Sequence, residues 1–398
     1  MKILHTSDWH LGRTLHGADL HDEQAAFQDW LVDLVQERGV DVVVIPGDVY
    51  DRAIPPIASV RQLSSTLARL ADTATVVLTP GNHDSADRLG FGAQLMRDRS
   101  GVHILTDLSA LDHPVVVPDD HGDVLFFGLP YLEPDLYRSI LATDPEQPLA
   151  RSHEAVTRAA LDRVRARIAG HAGQTEGDSA PEGTRSVVLA HTFVSGGEGS
   201  HSERDLSVGG VDSVPGDVFT GIDYLALGHL HGCQDMSRLV GSPARYSGSP
   251  LAFSFSEKNH HKSVLLVELG APGEVEVERI ATPVPRSLTE LRGPLEAVLQ
   301  QAQTHRENWI KAIITDTARP PHLMETLRNA FPHLLETLYE PEGREQDSSA
   351  PVVSAVADPV DVMADFLAYV TGAGPTGPER QVLEDAARAV RTAQQEAS

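Results

Sequence analysis

The chain has 398 residues, a formal charge of −25, four lysines and a single cysteine, Cys233. That length allows two or three domains with a large core, and one cysteine excludes disulfides within the chain and fits a reducing cytoplasm. So acidic a chain does not draw polyanions by its overall field, which counts against a stand-alone nucleic-acid binder but leaves local patches, metal ions or a partner chain as ways of acting on one.

No apolar run is long enough to cross a membrane. The opening MKILHTSDW goes straight into a strand, with none of the apolar stretch or cleavage site of a secretion signal. That strand, Lys2 to Ser7, delivers Asp8 and His10. Residues 22–38 place Phe27, Trp30, Leu31, Leu34 and Val35 at helical spacing before Gly39. Val42 to Ile45 is apolar and β-branched, as a strand buried on both faces should be, and it ends in Pro46-Gly47-Asp48. A second helix is expected over 56–70, with Ile57, Val60, Leu63, Leu67 and Leu70 apolar after Pro55-Pro56. Val76 to Thr79 then delivers Pro80-Gly81-Asn82-His83-Asp84, and a helix is expected from Ser85 to Asp98.

Strands are expected at Val102–Leu105, Pro114–Val117 and Val124–Leu129, and a helix over 152–170. His171 to Thr184 reads as a polar surface loop without chemistry. Val187 to Ala190 delivers His191. The Gly-rich stretch Ser195 to Gly210 follows it and reads either as a substrate-facing loop or as a plain connection. Tyr224 to Leu227 delivers Gly228-His229-Leu230-His231. Cys233 lies close by, but the neighbouring histidines already supply donors, so it reads as a small buried filler. Strands follow at Ser263–Leu269 and Glu274–Ile280, the second alternating as an exposed antiparallel strand does. Pro283 and Pro285 mark a linker. Residues 288–340 read as helix, strand (Trp309–Ile314) and helix. Glu342 to Ala350 reads as a flexible link, and two helices are expected over 359–371 and 378–397.

Five apolar runs thus end on Asp, His, Asn and His in combinations able to hold a metal. Carboxylate, imidazole and amide oxygen suit a borderline divalent ion such as Mn²⁺, Fe²⁺ or Zn²⁺, and the lack of thiolates argues against a structural zinc site. Seven candidates, Asp8, His10, Asp48, Asn82, His191, His229 and His231, exceed the needs of one ion or of a few core histidines. Two ions sharing a carboxylate need about this many, and Asp48 is the natural bridge.

The motifs DWH, GDVYD, GNHD, AHT and GHLH, in that order, resemble the five motifs of the calcineurin-like metallophosphoesterases. Ala190 stands where that family usually has Gly. HTSDWHLGRTLHG, PGDVYDRAIPP, GNHDSADRL and YSGSPLAFSFSE resemble more closely the nuclease subunits that work with an SMC-like ATPase. This resemblance implies a four-layer α/β/β/α sandwich with a small α/β cap and C-terminal helices: residues 1–282 as the nuclease domain, 286–341 as the cap, and 342–398 as a link with docking helices. It gives one ion to Asp8, His10, Asp48 and His231, and the other to Asp48, Asn82, His191 and His229, with Mn²⁺ favoured. His83 becomes the catalytic histidine outside both ligand sets. Asp84 would orient His83 through its ring N–H, or cap the following helix.

The implied activity is metal-dependent phosphodiester hydrolysis on DNA. A small-substrate phosphodiesterase on the same core is the alternative, and a non-catalytic scaffold would not need the intact donor set. A homodimer is expected through 56–70 and 85–98, whose apolar residues exceed what one sheet face needs. Val360, Met363, Phe366, Leu367 and Val370 form a stripe expected to dock on the ATPase.

Overall fold

The computed structural model describes residues 1–97, 100–144, 146–172, 183–200, 202–203, 213–341, 359–371 and 374–396. The expected link at 342–350, most of the loop at 171–184 and much of Ser195–Gly210 lie outside these. The chain divides into two compact units, Met1–Glu340 and Pro341–Ser398.

The first unit is built on two six-stranded sheets. One runs in the order Val275–Ala281, Ser263–Leu269, Lys2–His5, Val42–Pro46, Thr75–Thr79, Val102–Ile104. Its last four strands are parallel, and the first two are added antiparallel. The other runs Gln234–Asp235, Ala244–Tyr246, Tyr224–Gly228, Arg185–His191, Gly122–Leu129, Val115–Asp119, parallel at its centre and antiparallel at both edges.

Period-two alternation sorts the apolar strands into layers. Val43 and Ile45 face outward against Leu31, Val35, Leu63 and Leu67 of the helices His21–Arg38 and Ile57–Ala71. Val42 and Val44 face inward against Val187, Leu189, Tyr224 and Ala226 of the other sheet. On the far side of that sheet, Val188, Leu225 and Leu227 pack on Val156, Ala160 and Val164 of the helix His153–Ala172. The result is helix, sheet, sheet, helix. A buried polar side chain also ties the sheets: His5 on the first reaches Tyr224 Oη at 3.0 Å and Leu227 O at 3.1 Å on the second.

Two sequence expectations need correction. The helix expected from Ser85 to Asp98 is two short pieces, Ala86–Leu89 and Ala93–Arg97. Gly90 and Gly92 break it, the latter with φ +79°. Residues 288–340 form not helix–strand–helix but three parallel strands, Leu288–Gly293, Trp309–Ile314 and Leu334–Tyr339, with helices Leu295–Leu299 and Leu323–Ala330 between them. LTELRG and LLETLY are rich in good helix formers, and pairing to the central strand overrides that preference. This small sheet meets the sandwich through Leu288, Trp309 and Leu335, packed on Leu15, Leu20, Leu251 and Phe253.

The second unit holds the helices Pro359–Thr371 and Gly377–Glu396. At the start of the latter, Glu379 reaches back, its Oε2 accepting from Thr376 N at 2.8 Å and from Thr376 Oγ1 at 2.6 Å. Arg380 bonds Asp361 at 2.6 Å and joins the pair. No described helix is long and apolar enough to cross a membrane.

Candidate metal centre

The central strands deliver the expected donors to one edge, where α/β sheets build sites. Asp8 and His10 follow Lys2–His5, Asp48 follows Val42–Pro46, and Asn82 follows Thr75–Thr79. From the second sheet, His191 is the last residue of Arg185–His191, and His229 and His231 follow Tyr224–Gly228. Apart from the half-buried Asn82, all of these are buried.

The structure brings all seven together. His10 Nε2 lies 3.0 Å from His231 Nε2 and 3.5 Å from Asp48 Oδ2. On the other side of Asp48, His191 Nε2 lies 3.5 Å from the same Oδ2 and 2.9 Å from Asn82 Oδ1. His229 Nδ1 approaches His191 Nε2 at 3.3 Å. Asp8, His10 and His231 offer ligand atoms all within 4.8 Å of one another, and so do Asp8, Asp48 and His191. Asp8 is held in turn by the N–H of His229, at 3.0 and 3.2 Å from its two oxygens.

This chemistry fits divalent metal. Burial lowers the pKa of His10 well below the ordinary value, lowers that of His191, and lowers that of His229 to about 3. Neutral rings keep a lone pair for a cation. His191 Nδ1 donates to Pro46 O at 3.0 Å, which leaves that lone pair on Nε2, facing Asp48 and Asn82. Burial, and then the charge of Asp48, push Asp8 well above the carboxylate range. Two buried carboxylates and four converging imidazoles have no reason to meet without a cation to share. His10 Nδ1 is itself buried without a hydrogen-bond partner.

Backbone strain marks the same residues. Asp8, His10, Asp48 and His229 have φ of 55°, 45°, 49° and 104°, in the region that side chains avoid. Only two further non-glycine residues among those described, His16 and His322, share it. Gly47 is needed for two reasons: its φ is +91°, and a Cβ there would stand 2.3 Å from His191 Nδ1.

His83 is buried beside the donors, its Nε2 3.9 Å from Asp48 Oδ2. Its Nδ1 bonds the carbonyl of Asp51 at 2.7 Å. The expected contact from Asp84 to this ring is therefore absent. Asp84 instead accepts the N–H groups of Val49, Tyr50 and Gly81 at 2.9–3.0 Å, so it ties two strand-end loops together. Nor does it cap the next helix; Ser85 does.

Residues 1–233 match the calcineurin-like phosphoesterase family, and residues 284–371 match the Type 5 capsule protein repressor C-terminal domain. The SbcD subunit of the nuclease SbcCD from Bacillus subtilis (strain 168) is 35% identical over 283 residues, 69% of this chain and 67% of that protein. Its counterpart in Staphylococcus saprophyticus is 30% identical over 341 residues, 84% of each chain. The chain is a calcineurin-like phosphoesterase of the SbcD family. Such phosphoesterases are metal-dependent hydrolases, which agrees with the donor set. A solved Thermus thermophilus protein, TT1561, aligns with 70% of this chain and 98% of its own at 16% identity and a TM-score of 0.39.

Around this phosphoesterase site stand residues to which the sequence reading gave no role. Phe253 lays its ring edge-on to His10 and His231 at 5.2 and 5.6 Å, and Arg13 covers that ring at 5.0 Å. Glu203 Oε1 accepts the N–H of His231 at 2.9 Å, and Ser202 Oγ lies 2.7 Å from His231 Nδ1. Burial opposes charge on Glu257, but Lys262 and His231 together outweigh it and hold the carboxyl well below its ordinary range. YSGSPLAFSFSE contains both Phe253 and Glu257, and that motif was their only signal.

Proposed function

We propose that this phosphoesterase is the metal-dependent nuclease subunit of a complex with the ATPase SbcC. It would cut DNA as a double-strand exonuclease and a single-strand or hairpin endonuclease in end processing, repair and recombination. The observation that carries this reading is the pair of donor clusters meeting at Asp48, in a chain related to SbcD along most of its length. Asp8, His10, Asp48 and His231 would hold one ion; Asp48, Asn82, His191 and His229 would hold the other. Mn²⁺ suits this mixture of oxygen and nitrogen. Two such ions, when bound, supply an acidified water and a clamp on phosphoryl oxygens.

The chain's own part is to fix the donors and to place His83. With Nδ1 tied to Asp51 O, the ring turns Nε2 toward the site. Protonated there, Nε2 hands a proton to the leaving oxygen and offsets negative charge growing on the phosphoryl group. Phe253 on one side and Tyr131, stacked 6.5 Å from His229, on the other wall the donors with apolar surface.

SbcC would dock on the helices Pro359–Thr371 and Gly377–Glu396, where Phe366 is 64% exposed. A helix with such a side chain gains by burying it on a partner. A second copy of the chain would pair through Ile57, Val60, Leu95 and Phe91, the last 87% exposed. The single cysteine fits residence in the cytoplasm.

Full-length protein with Mn²⁺ is expected to cut duplex DNA, assayed beside a chromogenic diester. Hydrolysis of the diester but not of DNA, with the ATPase present, would turn the reading to a small-substrate phosphodiesterase. Deleting residues 359–398 should abolish SbcC binding and ATP-stimulated cutting and spare the chromogenic reaction. Loss of that reaction too would return the helices to the chain's own core.

A further inference from the structure

His231 stands three residues beyond its strand, Tyr224–Gly228, so the sheet does not hold it directly. What holds it, besides the backbone N–H of Ser249 on its carbonyl at 3.2 Å, is a buried group of side chains. Lys262 has three ammonium donors, and all are engaged: His231 O at 3.0 Å, Ser249 Oγ at 2.8 Å and the Glu257 carboxylate. The other oxygen of Glu257 accepts the N–H of Phe253 at 3.0 Å and stands 3.5 Å from His231 Nδ1. Ser202 Oγ lies 2.7 Å from the same Nδ1. An Nδ1–H aimed at these oxygens leaves the lone pair of the ring on Nε2, which faces His10 Nε2 at 3.0 Å.

A buried ion pair is a poor stability device, because removing two charges from water offsets most of their attraction. This one lies against a single donor, gripping its backbone carbonyl and standing by its ring. We propose that Glu257 and Lys262 are positioning residues for metal binding at His231. They fix the backbone at His231 and, with Ser202, its tautomer, and they fix the Phe253 N–H whose ring bounds His10 and His231. Their support serves the ion at His10 and His231 and not the ion at His191 and His229, because the ring of His191 is set by Pro46 O. This inference rests on the two-ion reading.

The test is a Mn²⁺ titration of metal-free, full-length protein followed by electron paramagnetic resonance, with the melting temperature recorded alongside. Wild type should take two ions and give the coupled, two-ion signal. In Glu257→Gln and Ser202→Ala that signal should need about 10–100-fold more Mn²⁺, with a single-ion species accumulating first. Lys262→Met should do the same. It also strips Glu257 of its cation, so if it fails to fold, Glu257→Gln, which keeps the shape of the side chain, decides the question. Unchanged formation of the two-ion signal in Glu257→Gln, whatever its melting temperature, overturns the positioning role. Saturation of wild type at one ion overturns the two-ion reading itself, a distinct result.

Discussion

His191 and His231 face the same carboxylate cluster from two sides and are anchored in opposite ways. His191 ends a central strand, and its ring bonds the backbone of the other sheet at Pro46 O. His231 lies beyond its strand and, apart from one backbone bond from Ser249 N–H at 3.2 Å, leans on the side chains of Ser202, Glu257 and Lys262. A donor held by strand backbone moves only when the sheets move. One held by side chains can be loosened one residue at a time, so the His231 half is where the site can be tuned without unfolding the sandwich.

The harshest way to break this contrast is to remove what both halves share. Asp48→Ala should cost on the order of 10³-fold in turnover and lower the bound metal from two ions to one or none. Metal analysis that still found two ions would show that Asp48 is not the bridge.

Next comes the backbone-held half. Gly47→Ala combines a disfavoured φ with a Cβ 2.3 Å from His191 Nδ1. It should destabilise the fold by about 2–4 kcal/mol, read by denaturant unfolding. Wild-type stability would mean that this strand end yields more easily than its geometry implies.

Although its ring groups with His10 and Asp48 within 4.8 Å, His83 belongs to neither half in the proposed ligand sets, which makes it the control for metal holding. His83→Gln should keep both ions and lose about 10²-fold in turnover. If metal is lost with the ring, His83 is a ligand.

The smallest effect is expected far from both halves. Burial raises the Asp119 carboxyl, but the buried Arg185, the His121 N–H and the N-terminal ammonium together outweigh this and hold it well below the usual range. A carboxylate lowered on folding contributes stability that is full above its unfolded pKa, about 3.9, and that fades as pH falls toward the folded value. Asp119→Asn should therefore cost about 1 kcal/mol at pH 7, since solvent on its open side screens the pair. That gap should narrow steadily below about pH 4 and leave Mn²⁺ binding alone. A gap of constant size down to pH 2 would assign the loss to packing instead of charge.

What could be read from the sequence follows how far apart the cooperating residues lie. Val42–Pro46 and Tyr224–Gly228 are apolar on both faces and end abruptly on donors, so strand, turn and ligand sit in one window. The place of His83 beside the donors was legible for the same reason. Its true partner, the Asp51 carbonyl, was not, because a backbone acceptor 32 positions away leaves no trace in side-chain chemistry. Ser202, Glu257 and Lys262 were hidden likewise: they meet His231 only through loops whose course the sandwich decides. In the cap, LTELRG and LLETLY looked helical because neither alternates cleanly, and only the central strand Trp309–Ile314 carries an apolar run of its own.

The carboxylate and amide donors all come from the first sheet, and three of the four imidazole donors come from the second. At the site the two sheets nearly touch: a Cβ added to Gly228 would stand 1.9 Å from Pro46 O. The sandwich therefore works as a caliper whose jaws are the strand ends and whose frame is the close-packed layer of Val42, Val44, Val187, Leu189 and Ala226. Packing at that density transmits strain and does not absorb it. A methyl group trimmed from the frame, touching no donor, should reset the gap between the jaws, and with it the metal that the proposed site can grip.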